Sequence, residues 1–110
     1  FDAGAQVKSL IEMNLTPDKI MTREAFENAI MIHGAVSGST NATLHIPAIA
    51  HELGIKIDLE LFDEIHGKIP VLTSLKTSGK WPTQLLWFAG GVPAVMREIS
   101  DYLHLDTQSA

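Results

Sequence analysis

The sequence predicts a mainly α-helical chain, and three observations lead to that fold class. Apolar residues recur at steps of three and four along most of its length, which is the period of an amphipathic helix. Thr16, Thr22 and Asp58 stand just before such segments, where helix caps are expected. Gly54 and Gly67 stand just after two of them, where glycine commonly ends a helix.

Composition narrows the class of protein further. The 110 residues are 45% hydrophobic and 19% charged, which favours one folded soluble domain over a disordered tail. Every apolar run is interrupted before it reaches the roughly 18 residues of a membrane span. A net charge of −5 disfavours nucleic acid as a partner. The chain has no cysteine, which fits a reducing compartment, and we expect a cytoplasmic protein.

The two ends predict how the chain is divided. The first four residues include neither an initiator methionine nor a signal-like stretch, so we expect the numbering to begin inside a longer protein. Residues 106–110 are polar and are interpreted as a tail or linker. Residues 1–105 then form the helical segment itself.

Caps and periodicity predict three helical segments in the first third of the chain. The first is expected from about Asp2 to Met13. A short turn follows, with Thr16 as its N-cap and Pro17 at its first position. Thr22 caps the next helix, which is expected to continue to about Val36.

His33 lies on the apolar face of that third helix, together with Phe26 and Ile30. A histidine at such a position is either a ligand or a residue at the edge of the core that bonds to the backbone. The second role is the commoner one, so we expect His33 to have a backbone partner.

The polar corner, defined as Ser37 to Asn41, lies between this helix and the next apolar segment. Its side chains, together with free backbone N–H groups at the start of the following helix, can bind an anion or a hydroxylated ligand. The same residue types are ordinary helix caps, with Ser39 as the expected N-cap. From the residues alone, both interpretations stay open.

The fourth helix is expected over Ala42 to Leu53, and a fifth over residues 59–66. Pro47 lies inside the fourth, where it removes one backbone hydrogen bond and predicts a bend. His45 and His51 are six residues apart and fall on opposite sides, so they do not form a two-histidine metal clamp.

The last third begins with Ile69 to Leu72, an apolar run of extended tendency that cannot form a sheet without partners. Lys76 to Lys80 contains Gly-Lys but lacks the rest of a phosphate-binding loop, so it is interpreted as an ordinary loop. Pro82 is expected to start a helix that is apolar almost all round and therefore buried or facing a partner. Pro93 is expected at the first or second position of the last helix.

Six short motifs indicate more than the positions of helices and turns. They are Met21 to Ala29, Ser37 to His45, Ala48 to Glu52, Ile69 to Leu72, Ser78 to Lys80 and Ala89 to Met96. In this order and spacing they resemble the dihydroxy-acid dehydratase and phosphogluconate dehydratase family over about residues 3–103. The stretch Thr77 to Trp87 is more similar to the sugar-acid branch of that family than to the branch of amino-acid synthesis.

The resemblance implies a larger, homo-oligomeric two-domain enzyme, with an N-terminal α/β domain to which this chain contributes the helical part. Such enzymes remove water from a 2,3-dihydroxy acid, here an aldonate sugar acid, to give a 2-keto-3-deoxy acid. An iron–sulfur cluster acts on the leaving hydroxyl, and magnesium holds the carboxylate and the 2-hydroxyl. Their ligands lie outside this chain, so we expect the chain alone to bind neither and to be inactive.

The resemblance also implies which residues lie near the substrate. Ser39, Thr40 and Asn41 are the candidates in the polar corner, and Ser78 and Lys80 are weaker candidates in the later loop. No catalytic or metal-binding residue is assigned. The alternative is a stand-alone helical interaction module that uses the apolar stripe from Leu85 to Phe88, together with Trp81, to bind a partner.

Overall fold

The computed structural model describes residues 2–109 and shows helices without β-strands in that range. The helices are α1 (Asp2–Glu12), α2 (Pro17–Ile20), α3 (Arg23–Ala35), α4 (Ala42–Glu52), α5 (Leu59–His66), α6 (Gln84–Phe88) and α7 (Gly91–Glu98), followed by a 3-10 turn (Ser100–Tyr102). The mainly α prediction is confirmed. None of these helices combines the length and the apolar character that crossing a bilayer requires.

Local capping explains why α3 and α5 begin where the sequence predicts. The Thr22 hydroxyl oxygen accepts a hydrogen bond from the Ala25 N–H at 3.3 Å. The Asp58 carboxylate accepts one from the Leu61 N–H at 3.1 Å. Each bond satisfies a backbone donor in the first helical turn, which has no partner within the helix.

The helix α3 is the centre of the bundle and packs against α4, α5 and α7. Its Ile30 is fully buried, as is Ile99 just after α7. The other buried core residues are Phe26, Ala35, Ala50, Ile57, Phe62, Ile65, Ile69, Val95 and Leu103. The core therefore fixes α3, whose C-terminal end leads directly into the polar corner.

The periphery is less well covered than in a compact protein of this size. Helix α1 buries no residue, and α6 packs mainly on α7 with Trp87 80% and Phe88 79% exposed. The accessible surface is 7795 Å², against roughly 6,000 Å² for a compact monomer of this mass. The radius of gyration is 15.2 Å, against about 13 Å for a compact chain of this length. Within the described residues α6 is not buried. The other expectation, that its apolar surface faces a partner, stays a prediction.

Two predicted helix starts in the last third are wrong by one or two residues. Helix α6 begins at Gln84 and not at Pro82, because Pro82 instead accepts a hydrogen bond from the Leu85 N–H in a preceding turn. Helix α7 begins at Gly91, which places Pro93 at the third position. Proline is accepted there because the N–H groups of the first turn lack partners within a helix.

The extended run after α5 has a specific partner in α3 although it forms no strand. The Leu72 N–H donates to the Ala35 carbonyl at 2.8 Å, and the Thr73 hydroxyl donates to the Val36 carbonyl at 2.9 Å. These bonds fasten the chain that follows α5 to the C-terminal end of α3. They also satisfy carbonyls that the end of a helix leaves without partners.

Candidate functional site

The polar corner starts where α3 is closed by a Schellman motif. The Gly38 N–H donates to the His33 carbonyl at 2.9 Å, and the Ser37 N–H donates to the Gly34 carbonyl at 3.1 Å. Ser37 has a φ of 52°, a left-handed conformation in which glycine is more usual. The chain therefore turns sharply away from α3 before it enters α4.

Helix α4 begins at Ala42, as predicted, but its N-cap differs from the prediction. The N-cap is Asn41, in the αR conformation, and not Ser39. Successive N–H groups donate to carbonyls three residues earlier: Ala42 to Ser39 at 3.0 Å, Thr43 to Thr40 at 3.0 Å and Leu44 to Asn41 at 3.1 Å. The expectation that these N–H groups lie free for an anion is wrong, because a turn before the helix already pairs them. Binding at the corner must therefore rely mainly on side chains.

The side chains of Ser39, Thr40 and Asn41 are exposed and adjacent. The Ser39 hydroxyl oxygen accepts from the Asn41 N–H at 3.3 Å, and the Asn41 side chain does not cap the helix. The Thr43 hydroxyl donates to the Thr40 carbonyl at 2.7 Å. The corner thus presents two hydroxyls and one amide on a backbone that is held by its own turn.

A pair of histidines lies beneath the corner. His33 Nε2 is 2.9 Å from the Ser39 carbonyl oxygen, which confirms the backbone partner expected for this residue. His33 Nδ1 is 3.2 Å from His66 Nε2, at the end of α5. Phe62, which is buried, packs edge-on against both rings. Sequence reasoning missed His66, because nothing local to residue 66 indicates a neighbour 33 positions earlier.

Burial lowers the pKa of the His66 imidazole below its ordinary value, and the neighbouring His33 lowers the pKa further. Both effects disfavour a positive charge on this ring. The His66 imidazole is therefore expected to be neutral at physiological pH.

A cavity of about 340 Å³ opens beside the histidine pair. Its lining consists of His33, Gly34, Ser37, Gly38, Thr40, Thr43, His66 and Val71. Hydroxyl groups and imidazole edges therefore face one space at the C-terminal end of α3. Ser39 and Asn41 do not line this cavity, although they flank Thr40, which does.

The second pair of candidates, Ser78 and Lys80, lies in a separate loop. The Ser74 hydroxyl accepts from the Lys80 N–H at 3.1 Å, and the Lys80 ammonium lies 4.6 Å from the centre of the Trp81 ring. Ser74 directly follows Thr73, which bonds to the end of α3. The loop is thus fastened to the same helix end as the polar corner, but neither Ser78 nor Lys80 lines the cavity.

The available donor set does not fit a metal or an iron–sulfur cluster. The chain has no cysteine. Within residues 2–109, histidine and carboxylate side chains do not come together in a group of three or more. Any such group in the whole protein would need ligands from elsewhere.

Comparison with known proteins gives a consistent family. A family model described as Dihydroxy-acid/6-phosphogluconate dehydratase N-terminal matches residues 1–110. The dihydroxy-acid dehydratase of Methanosarcina barkeri is 50% identical over 107 residues, which are 96% of this chain and 19% of that protein. The one from Halothermothrix orenii is 47% identical over 106 residues, 94% of this chain and 19% of that protein. The chain thus spans about a fifth of the length of the curated relatives it matches.

Proposed function

The chain belongs to the dihydroxy-acid/6-phosphogluconate dehydratase N-terminal family, and on that basis we propose that it is part of a hydro-lyase. The enzyme would remove water from a 2,3-dihydroxy acid to give a 2-keto-3-deoxy acid. The observation that carries this proposal is identity near 50% over almost the whole chain to proteins named dihydroxy-acid dehydratase. The chain is a small part of their length, so the activity belongs to the whole protein.

The reaction sets requirements that the polar corner can meet in part. Dehydration breaks the C3–O bond and removes the C2 proton, and the resulting enol becomes the ketone. The substrate carries a carboxylate and two hydroxyls, so it needs several fixed hydrogen-bonding groups. Ser39, Thr40 and Asn41 supply hydroxyl and amide groups just before α4. We assign them to substrate binding and not to bond breaking, because the His33 imidazole bonds to the Ser39 backbone carbonyl and not to any of these three side chains.

The loop residues Ser78 and Lys80 are weaker candidates for substrate binding than the residues of the polar corner. Lys80 carries a positive charge on an exposed side chain and could pair with the substrate carboxylate. Its ammonium lies over the Trp81 ring, which limits its orientations. The loop would have to lie next to the corner in the whole protein for both groups to reach one substrate.

The cofactors of the proposed enzyme are an iron–sulfur cluster and magnesium. The donors in this chain fit neither, so both would be held by residues outside it. The role of this chain is then to form part of the wall of the site.

The substrate subclass is a finer proposal. Similarity of Thr77 to Trp87 to the sugar-acid branch favours an aldonate, whereas the relatives are named for dihydroxy acids in general. A direct comparison decides between them. The whole protein is purified without oxygen and supplied in turn with an aldonate and with a branched 2,3-dihydroxy acid, and the keto acid is measured. Release of neither keto acid by a protein that retains its cluster absorbance would reject the hydro-lyase proposal.

The exposed apolar surface favours a second candidate. Trp87 and Phe88 are among the most exposed large apolar side chains, which also fits a stand-alone interaction module. In the hydro-lyase, the remainder of the parent chain or a second subunit would cover this surface. A Trp87 side chain that is covered in the whole protein favours the hydro-lyase, and one that stays exposed favours the interaction module.

A further inference from the structure

We propose that His33 is a positioning residue for the polar corner, with His66 fixing its ring. His33 holds the corner at two points, since its backbone carbonyl accepts from the Gly38 N–H at 2.9 Å and its Nε2 lies 2.9 Å from the Ser39 carbonyl oxygen. Ser39 begins the three-residue candidate site. This inference deepens the proposed function and depends on it for the role of the corner in binding substrate.

The hydrogen bonds determine where the protons lie. A backbone carbonyl only accepts, so His33 Nε2 must carry a proton and donate it to Ser39. One proton lies between His33 Nδ1 and His66 Nε2, which are 3.2 Å apart, and the Ile30 backbone is a further hydrogen-bond partner of His66. The result is a chain of hydrogen bonds from α5 through α3 to the corner. His66 thereby fixes the orientation of the His33 ring that holds Ser39.

The two rings lie nearly parallel to each other. Their planes differ by 20°, and their centres are 5.1 Å apart, while the bonded nitrogens are 3.2 Å apart. Because the nitrogens are much closer than the centres, the rings are offset toward the side of the hydrogen bond. Phe62 packs perpendicular to both, at 6.2 Å from His33 and 5.8 Å from His66, and so restricts their rotation.

Two glycines provide the space that the histidines occupy. A Cβ at Gly38 would lie 2.2 Å from His33 Cδ2, and a Cβ at Gly34 would lie 2.8 Å from His66 Cδ2. Both distances are below any real carbon contact, so a side chain at either position displaces a ring. The backbone on both sides of the corner is therefore built around the pair, which a solvated surface histidine would not require.

The bond to Ser39 matters because the Ser39 carbonyl is also the acceptor for the Ala42 N–H that begins α4. Loss of the imidazole donor removes one of the hydrogen bonds that hold the Ser39 carbonyl. The backbone of the adjacent Thr40 and Asn41 is then less well fixed, and so are the positions of their side chains. A hydrogen bond of this kind corresponds to about a fivefold change in an equilibrium. The expected effect is on substrate binding, so KM rises about fivefold while kcat stays within about twofold.

The experiment uses the whole protein and four variants. His33→Phe keeps a ring but removes the donor, and His33→Asn is too short to place a nitrogen at the Nε2 position. His33→Gln places an amide donor close to that position and should rescue. His51→Phe is the matched control, because His51 is an exposed histidine on α4 away from the corner. The proposal expects a raised KM in the first two variants and values close to the parent in the last two.

Amide hydrogen exchange provides a second readout that needs no substrate. Exchange at Ala42 to Leu44 should accelerate about fivefold in His33→Phe and His33→Asn but not in His33→Gln or His51→Phe. Unchanged exchange and unchanged KM in both donor-free variants would overturn the positioning role. If the parent has no dehydratase activity, the proposed function fails, and the exchange result alone decides whether His33 holds the corner.

Discussion

His66 Nε2 and His33 Nδ1 lie 3.2 Å apart and join the last turn of α5 to the last turn of α3. This bond lies directly beneath the turn that carries the candidate substrate residues. The histidine pair therefore couples the packing of the bundle to the shape of its polar corner.

Lowering the pH is expected to destabilise the chain through His66. Burial lowers the pKa of its imidazole below its ordinary value, and His33 lowers the pKa further. The unfolded chain, in which histidine has a pKa of about 6.5, then binds the proton more readily than the folded chain. Above that pH the free energy of unfolding includes the whole contribution of neutral His66. It decreases as the pH falls from there toward the pKa of His66 in the folded chain. Urea unfolding at about pH 7.5 and about pH 5.5 measures the loss.

The control for this prediction is a pair of glutamine variants. His66→Gln removes the titrating group and should lose less stability between the two pH values than the parent chain does. His45→Gln changes an exposed histidine on α4 and should behave like the parent. An equal loss in His66→Gln and the parent would contradict the assignment to His66.

Substitution of Gly38 by alanine is expected to destabilise the fold. The added Cβ would lie 2.2 Å from His33 Cδ2, so the ring must leave its position and its bond to Ser39. Forcing a methyl group into such a site costs about 1–3 kcal/mol. Gly4→Ala is the matched control, because nothing lies within 4 Å of a Cβ there and alanine favours helix α1. Chemical denaturation of the two variants should therefore move in opposite directions.

How much the sequence could predict depends on the range of the interactions involved. Caps at Thr22 and Asp58 act within three residues, so the starts of α3 and α5 were predictable. The start of α4 at Ala42 was also predicted, but its N-cap was not, because the turn before the helix pairs its N–H groups with carbonyls that residue types do not specify. His66 was missed because its partner is distant in sequence and its role depends on packing around Phe62.

The candidate residues themselves were identified through family resemblance and not through their physics. Ser, Thr and Asn at a helix start are common in helices without ligands. The structure keeps Ser39, Thr40 and Asn41 exposed and contiguous, and it fastens the loop of Lys80 to the same end of α3. Their contact with substrate stays a prediction.

Asn41→Ala is expected to weaken substrate binding without affecting stability. The Asn41 side chain makes no capping bond, so its removal should leave the free energy of unfolding nearly unchanged. Loss of one hydrogen bond to the substrate corresponds to about a fivefold rise in KM for the whole enzyme. Thr83→Ala is the matched control, since Thr83 is also an αR N-cap without a side-chain bond. A similar KM in both variants would remove Asn41 from the site.

Asn28 is expected to fasten the C-terminal segment to α3. Its amide nitrogen donates to the His104 carbonyl, and its oxygen accepts from the His104 N–H, both at 2.8 Å. Glu27 adds a bond to the His104 ring at 2.8 Å. Asn28→Ala should lower the free energy of unfolding by about 1–3 kcal/mol, because two partly buried backbone groups lose their partner. Gln6→Ala, on exposed helix α1, should change it little.

Association of the 110-residue chain through α6 is expected because this surface has no cover within residues 2–109. Trp87 and Phe88 are 80% and 79% exposed, and burying two such side chains supplies several kcal/mol at about 25 cal/mol per Å². Replacing both with glutamine should reduce concentration-dependent association in sedimentation, whereas Leu44→Gln, at a site 71% exposed on α4, should not. Hydroxyl-radical footprinting of Trp87, measured by mass spectrometry of its peptide, then compares the chain with the whole protein. Strong protection in the whole protein indicates that the rest of the enzyme covers α6, and equal oxidation in both favours a free interaction surface.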